Sequence, residues 1–202
     1  LARVINVEAR QLELVEELAD NVELPVQVTI ASGFPKGDKL EFITQKVTEL
    51  GASQIWAFPA DWSVAKWDGK KLGKKVEKLE KIALGAAKQS KRNLVPSITL
   101  FEKKADFLAQ LEQFDRIVVA YEESAKEGEA AALIQAITGL EKGAKLLFIF
   151  GPEGGLSPAE IESFEAKGAV LAGLGPRILR AETAPLYALS AVSVVAELMK
   201  NA

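Results

Sequence analysis

At 202 residues, 49% hydrophobic and 26% charged, the chain is long enough to bury a core, and its composition excludes disordered, collagen-like and low-complexity architectures. It has no cysteine and no histidine; this removes disulfides, thiolate nucleophiles, Cys/His zinc sites and histidine acid–base chemistry, so no metal is expected and catalysis falls to carboxylates, Lys, Arg, hydroxyls or the backbone. The net charge of −3 is uneven: Trp62 to Lys104 holds 12 basic and 4 acidic residues, or +8, which is either a footprint for a polyanion or a solvated helix face.

Residues 1–10 lack the basic start and apolar middle of a secretory leader, and no run reaches the roughly 18 apolar residues of a membrane helix. The expectation is a cytoplasmic protein without membrane contact. Segment 2–18 alternates only in part (Val4, Asn6, Glu8, then Leu12 and Leu14) and reads as strands lacking partners, too few to fold alone. As the chain begins at Leu1 rather than Met, residues 1–22 are expected to be the tail of an N-terminal β domain, ahead of a main domain at 23–202.

From Glu23 to Ala31 the sequence is β-branched and apolar, a strand. Leu40, Ile43, Val47 and Leu50 then fall at helical spacing until Gly51 stops the pattern. Gln54 to Pro59 is the next strand. A long helix spans Lys70 to Lys91, apolar through Val76, Leu79, Ile82, Ala83 and Ala86 and lysine-rich on its other face. Strands at Ser97 to Phe101, Arg116 to Tyr121, Lys145 to Phe150 and Ala169 to Leu174 alternate with helices at Lys104 to Leu111, Glu127 to Ile137 and Pro158 to Lys167. This alternation predicts an α/β fold with a mostly parallel, buried sheet. The last helix, Thr183 to Lys200, is apolar almost all round, which calls for burial on two sides by a large core or by a second subunit.

Three segments can carry chemistry. In LFIFGPEGGLSPAE, Leu147 to Glu160, a buried strand enters Gly151, Pro152, Glu153, Gly154 and Gly155, and a helix opens with Ser157, Pro158 and Glu160 as a capping box. Glycines let a ligand approach the backbone, although Gly and Pro also punctuate ordinary turns. The spacing matches neither a dinucleotide-binding GxGxxG nor a P-loop. In LGPRILRAETAPLYAL, Leu174 to Leu189, a second strand ends in Gly175 and Pro176, followed by Arg177, Arg180, Glu182 and Thr183. These are an ion-pair cluster shaping a loop or, with the first turn, one pocket at the C-terminal edge of the sheet. In AAKQSKRNLVP, Lys88, Gln89, Lys91 and Arg92 close the basic helix; with Lys66 upstream they read as contacts to the phosphates, sugars and bases of RNA or DNA rather than as a helix C-terminus favoured by its dipole. Trp62, Trp67 and Phe34 are possible stacking platforms, with core packing the stronger expectation for each.

FGPEGGLSPAEIE and LGPRILRAETA, together with TQKVTELG and AAKQSKR, resemble the ribosomal RNA small subunit methyltransferase E family, over essentially Glu23 to Lys200. The resemblance implies an S-adenosylmethionine-dependent enzyme that methylates N3 of a uridine in 16S ribosomal RNA. It implies a homodimer of the SPOUT class with a deep trefoil knot, and a PUA-like β-barrel of which residues 1–22 would be a remnant. It places the cofactor among Ala120, Tyr121 and Glu122, then Phe150, Gly151, Pro152, Glu153, Gly154 and Gly155, then Leu174, Gly175, Ile178, Leu179, Arg180 and Thr183. Uridine N3 must be exposed and deprotonated. Without His or Cys the candidate acceptors are Glu153 and Glu182, and Arg177 or Arg180 would stabilise the developing anion or clamp phosphate. The alternatives are a SPOUT enzyme acting on another RNA such as tRNA, and an inactive RNA-binding or ribosome-assembly module.

Overall fold

The computed structural model describes residues 2–16, 21–122 and 131–199. Strands β1 (Ala2–Asn6) and β2 (Gln11–Leu14) pair antiparallel and, among the described residues, with each other alone. Every residue in them is exposed, Val4, Ile5, Leu12 and Leu14 included.

The remaining strands form one six-stranded sheet. In chain order they are β3 (Gln27–Gly33), β4 (Gln54–Phe58), β5 (Ser97–Leu100), β6 (Arg116–Ala120), β7 (Lys145–Phe150) and β8 (Val170–Ala172). The spatial order is β5-β4-β3-β7-β6-β8, and every pairing is parallel. Central β3 matches Thr29 to Gln54 on one side and Gln27 to Lys145 on the other. Strands β3 and β7 are interior and covered on two faces, which explains the unbroken apolar run Leu146–Phe150 of β7 and the burial of Thr29 and Ser32 in β3.

The helices are α1 (Lys39–Glu49), α2 (Gly69–Gln89), α3 (Lys104–Leu108), α4 (Ala131–Ile137), α5 (Pro158–Glu165) and α6 (Ala184–Ser193), the last continuing as a π-helical turn at Val194–Leu198. Alternation along β7 sorts its side chains. Leu146, Phe148 and Phe150 join Ile43 and Val47 of α1, Leu133 of α4 and Leu189 and Val192 of α6 in one core layer. Leu147 and Ile149 join Phe107 of α3 and Ile161 and Phe164 of α5 in the other. There Phe58 and Phe107 stack with centroids 4.1 Å apart. Each fully buried Leu, Ile, Val or Phe contributes about 1.5–3 kcal/mol, so these layers hold the frame rigid.

Helix α2 starts at Asp68, whose carboxylate accepts from the Lys71 N–H at 2.9 Å, and packs Leu72 and Leu79 with Phe34 and Leu40. Among the described residues no helix is long and apolar enough to cross a membrane. Helix α6 buries Pro185, Ala188, Leu189 and Val192 but leaves Tyr187, Val194, Leu198 and Met199 exposed on it and on the turn that continues it.

Candidate active site

Because the six strands are parallel, their C-terminal ends share one edge, where the loops after β6, β7 and β8 converge. They enclose a cavity of about 850 Å³, a size suited to a cofactor. Residues 120–122, 150–155, Leu174, Gly175 and 178–180 all line it, as do Arg177 and Trp62. Thr183 and Glu182 are not in its lining; Thr183 is exposed at the start of α6 and makes no side-chain cap.

The turn at 151–155 closes only with glycine. A Cβ on Gly151 would lie 2.7 Å from the carbonyl carbon of Gly155, and Gly155 itself has φ +81°. Beyond it α5 opens with the expected capping box: Glu160 N–H donates to Ser157 Oγ at 3.2 Å and Ser157 N–H donates to Glu160 Oε2 at 2.9 Å. Glu160 is 1% exposed, and its other oxygen accepts the Asp61 N–H at 2.9 Å. Ser157 Oγ donates to Asp61 Oδ2 at 2.6 Å, and Lys104 pairs with both Asp61 and Glu160. Lys104 and then the Ser157 hydroxyl hold the Asp61 carboxyl below its usual range. This network ties the loop after β4 to the glycine turn.

Lys39, in the first turn of α1, also lines the cavity, and nothing in the sequence pattern singled it out. Its ammonium lies 2.9 Å from Glu153 Oε1 and 3.2 Å from Glu182 Oε2. A lysine at a helix N-terminus opposes the dipole, which is the one local sign that it serves something else. Hydrogen bonding to Glu153, with the negative charge of Glu182 beside it, outweighs burial and raises the Lys39 pKa, so it stays charged. Burial pushes Glu153 up, but the bonds from Lys39, its own amide and the Lys36 N–H prevail and hold its carboxyl below the usual range. Glu182 Oε2 is shielded from solvent and receives no well-directed hydrogen bond; Lys39 supplies its counter-charge. Glu182 therefore pairs with Lys39 and not with Arg180. Arg177 and Arg180 are exposed and have no ion pair among the described residues.

Two expectations are corrected. Arg92 is not a surface group: its side chain is 3% exposed and donates to the carbonyls of Thr48 and Ala52 at 2.9 and 2.8 Å and, through Nε, to Glu23 at 3.0 Å. It clamps the chain ahead of β3 and β4. Trp62 is not a core residue either; it is 49% exposed and lies on the glycine turn. Phe34 and Trp67 do pack together, with ring centroids 4.3 Å apart. Lys66, Lys88, Gln89 and Lys91 are exposed, but not together. Lys66 precedes the start of α2, whereas Lys88 lies 18 residues beyond Lys70, about 27 Å along the helix.

A glycine-closed pocket over the C-terminal ends of a parallel sheet, flanked by arginines that have no ion pair among the described residues, defines a ligand-binding α/β protein. Over residues 22–193 the chain matches the RNA methyltransferase domain family. It is 52% identical to the ribosomal RNA small subunit methyltransferase E of Bacillus subtilis (strain 168), across 93% of this chain and 73% of that protein. It is 32% identical to the protein of the same name from Mesomycoplasma hyopneumoniae (strain 232), across 90% and 76%. The crystal structure of the Neisseria gonorrhoeae ribosomal RNA small subunit methyltransferase E bound to S-adenosyl methionine superposes with a TM-score of 0.74 at 27% identity, covering 96% of this chain and 78% of that one. The chain belongs to the ribosomal RNA small subunit methyltransferase E family, and it is an RNA methyltransferase.

Proposed function

We propose that this protein binds S-adenosylmethionine among the loops after β6, β7 and β8 and methylates N3 of a uridine in 16S ribosomal RNA. The observation that carries the reading is the convergence of all three loops on one cavity around a turn that no side chain at position 151 would allow. The donor set fits the cofactor: Phe150, Leu174, Ile178 and Leu179 offer apolar walls for a nucleoside, Glu122 and Glu153 face a cationic group, and Arg177 and Arg180 suit a carboxylate. When bound, the cofactor supplies a methyl group on a sulfonium, electrophilic without any metal.

The chain's own residues have two tasks, to orient the base and to help its imide proton leave. Glu153 lines the cavity, but Lys39 holds it as a stable carboxylate and so a weak base. Glu182 lies behind Lys39. Stabilising the N3 anion is therefore the larger contribution; Arg177 or Arg180, neither in an ion pair among the described residues, would make it while the other meets the cofactor's carboxylate. Thr183 would act through the start of α6 rather than by lining the cavity. Lys66, Lys88, Gln89 and Lys91 mark a long RNA path along α2; Arg92 does not belong to it.

The same reading takes 1–22 as a remnant of a PUA-like barrel and 23–202 as the knotted SPOUT domain. It takes the exposed side of α6 as a homodimer face. The test is calorimetric titration of the chain with S-adenosylmethionine, followed by methylation of unmodified small ribosomal subunits with the product mapped. Saturable binding and N3-methyluridine in 16S RNA are expected. Methylation at another atom or on tRNA only would sink the assignment.

A further inference from the structure

We propose that Trp62 is a stacking platform for a nucleobase of the RNA substrate, presented at the rim of the cavity; this rests on the RNA methyltransferase reading above. The three tryptophans differ sharply. Trp56 is 4% exposed and sits among Phe101, Phe107 and Phe114. Trp67 lies against Phe34, with Lys75 over its ring at 4.3 Å. Trp62 is 49% exposed, which leaves a large apolar surface in water without an aromatic partner among the described residues.

That exposure is not the slack of a loose loop. The backbone of Asp61 is bonded to buried Glu160, its carboxylate is held by Ser157 and Lys104, and the Ser63 N–H donates to Ala60 O at 2.9 Å. On its inner side the residue rests on the glycine turn. A Cβ at Gly154 would meet Trp62 Cβ at 3.1 Å, and one at Gly155 would meet the indole edge at 3.9 Å. Residues 154 and 155 thus give the indole a seat that larger side chains would fill. The neighbouring backbone is held on both sides of Trp62, the residue rests against the turn, and about half of it stays exposed, which leaves ring surface for stacking.

Position selects the RNA base over the cofactor's adenine. The cofactor loops follow β6, β7 and β8, whereas Trp62 follows β4, which the sheet order puts beyond β3 on the far side of β7. It lines the cavity from the β4 side, four residues ahead of exposed Lys66 and close in sequence to the lysines that begin α2. Arg177 and Arg180 are exposed and share the cavity lining, so the phosphate of a stacked nucleotide would find a cation within the same site.

The experiment compares the 202-residue chain with Trp62→Ala and Trp62→Phe. It measures KM for unmodified small ribosomal subunits at saturating S-adenosylmethionine, the Kd of that cofactor by calorimetry, Tm and oligomeric state. Trp62→Ala should raise the RNA KM about tenfold or more with cofactor Kd unchanged, and Trp62→Phe should recover most of the loss because a smaller ring still stacks. An unchanged KM in an active Trp62→Ala variant overturns the platform alone. So does weakened cofactor binding with RNA unaffected, which would make Trp62 a wall of the cofactor pocket, or a shift in oligomeric state with RNA unaffected, which would make it an interface residue. A KM loss in Trp62→Ala that Trp62→Phe fails to recover, with Tm lowered, would reduce it to a structural prop. A parent chain that neither binds the cofactor nor methylates RNA overturns the functional reading, and the platform with it.

Discussion

Arg92 shows how a single side chain can be misplaced by its neighbours in sequence. It closes a lysine-rich helix, yet its guanidinium satisfies two backbone carbonyls and the Glu23 carboxylate inside the protein. Arg92→Ala would remove the counter-charge of Glu23 and the donor to Ala52 O, though Glu23 keeps the amides of Asn93 and Leu94, so it should cost about 2–3 kcal/mol in urea denaturation, whereas Lys88→Ala and Lys91→Ala should leave stability within about 0.5 kcal/mol. The pair also sets a pH dependence. Burial raises the Glu23 pKa, but Arg92 and the amides of Leu94 and Asn93 outweigh it and hold the carboxyl below its ordinary 4.5. The contribution is therefore complete above the ordinary value and is lost as pH falls through the depressed value in the folded state. Denaturation midpoints measured downward from about that ordinary value should drop for the parent and stay flatter for Arg92→Ala. At this scale the glycine turn, Arg177 and Arg180 were legible in the sequence because Gly, Pro and clustered charge carry local meaning. Lys39 was not, and Trp62 and Arg92 were singled out but expected in the wrong surroundings, because each is defined by a partner far along the chain: Glu182, Gly154 and Glu23.

Elements were more legible than residues. The strand and helix expected at Lys145 to Phe150 and Lys70 to Lys91 are found at Lys145–Phe150 and Gly69–Gln89, since hydrophobic period and capping are local. The helix expected at Glu127 to Ile137 is found from Ala131, its first four residues lying outside the described ones. Glycine shows what the element adds to the residue. In α2, Gly73 and Gly85 have helical backbones, and a Cβ added at either would meet nothing within 4 Å, so alanine there should stabilise by about 0.5–1 kcal/mol. At Gly151 the same change drives a Cβ into backbone at 2.7 Å. Overpacking of that kind costs about 1–3 kcal/mol, and the turn must open. Calorimetry should show the cofactor affinity of Gly151→Ala reduced at least about tenfold and that of Gly73→Ala unchanged. Equal affinities for the two variants would mean that the turn does not shape the site.

At the scale of the whole molecule, local pattern runs out. A parallel sheet was readable from β–α alternation, but the order β5-β4-β3-β7-β6-β8 was not, because periodicity records which face is buried and not which strand lies alongside. The same limit applies to α6: an apolar surface all round says that two sides want cover, and the fold covers one. Val194, Leu198 and Met199 stay 44%, 65% and 64% exposed, while Leu189 and Val192 are buried in the core. In the proposed homodimer, two-fold symmetry presents that strip twice, so each substitution acts twice. Losing one buried leucine forfeits about 1.5–3 kcal/mol; doubled, this weakens the dimer at least about a hundredfold, and a buried carboxylate adds to the loss. Leu198→Glu should therefore turn the dimer into a monomer by light scattering at micromolar concentration. It should leave Tm near that of an isolated subunit and the far-UV spectrum unchanged, since Leu198 faces solvent and not the core. A Leu198→Glu protein that remains dimeric would move the interface off this helix.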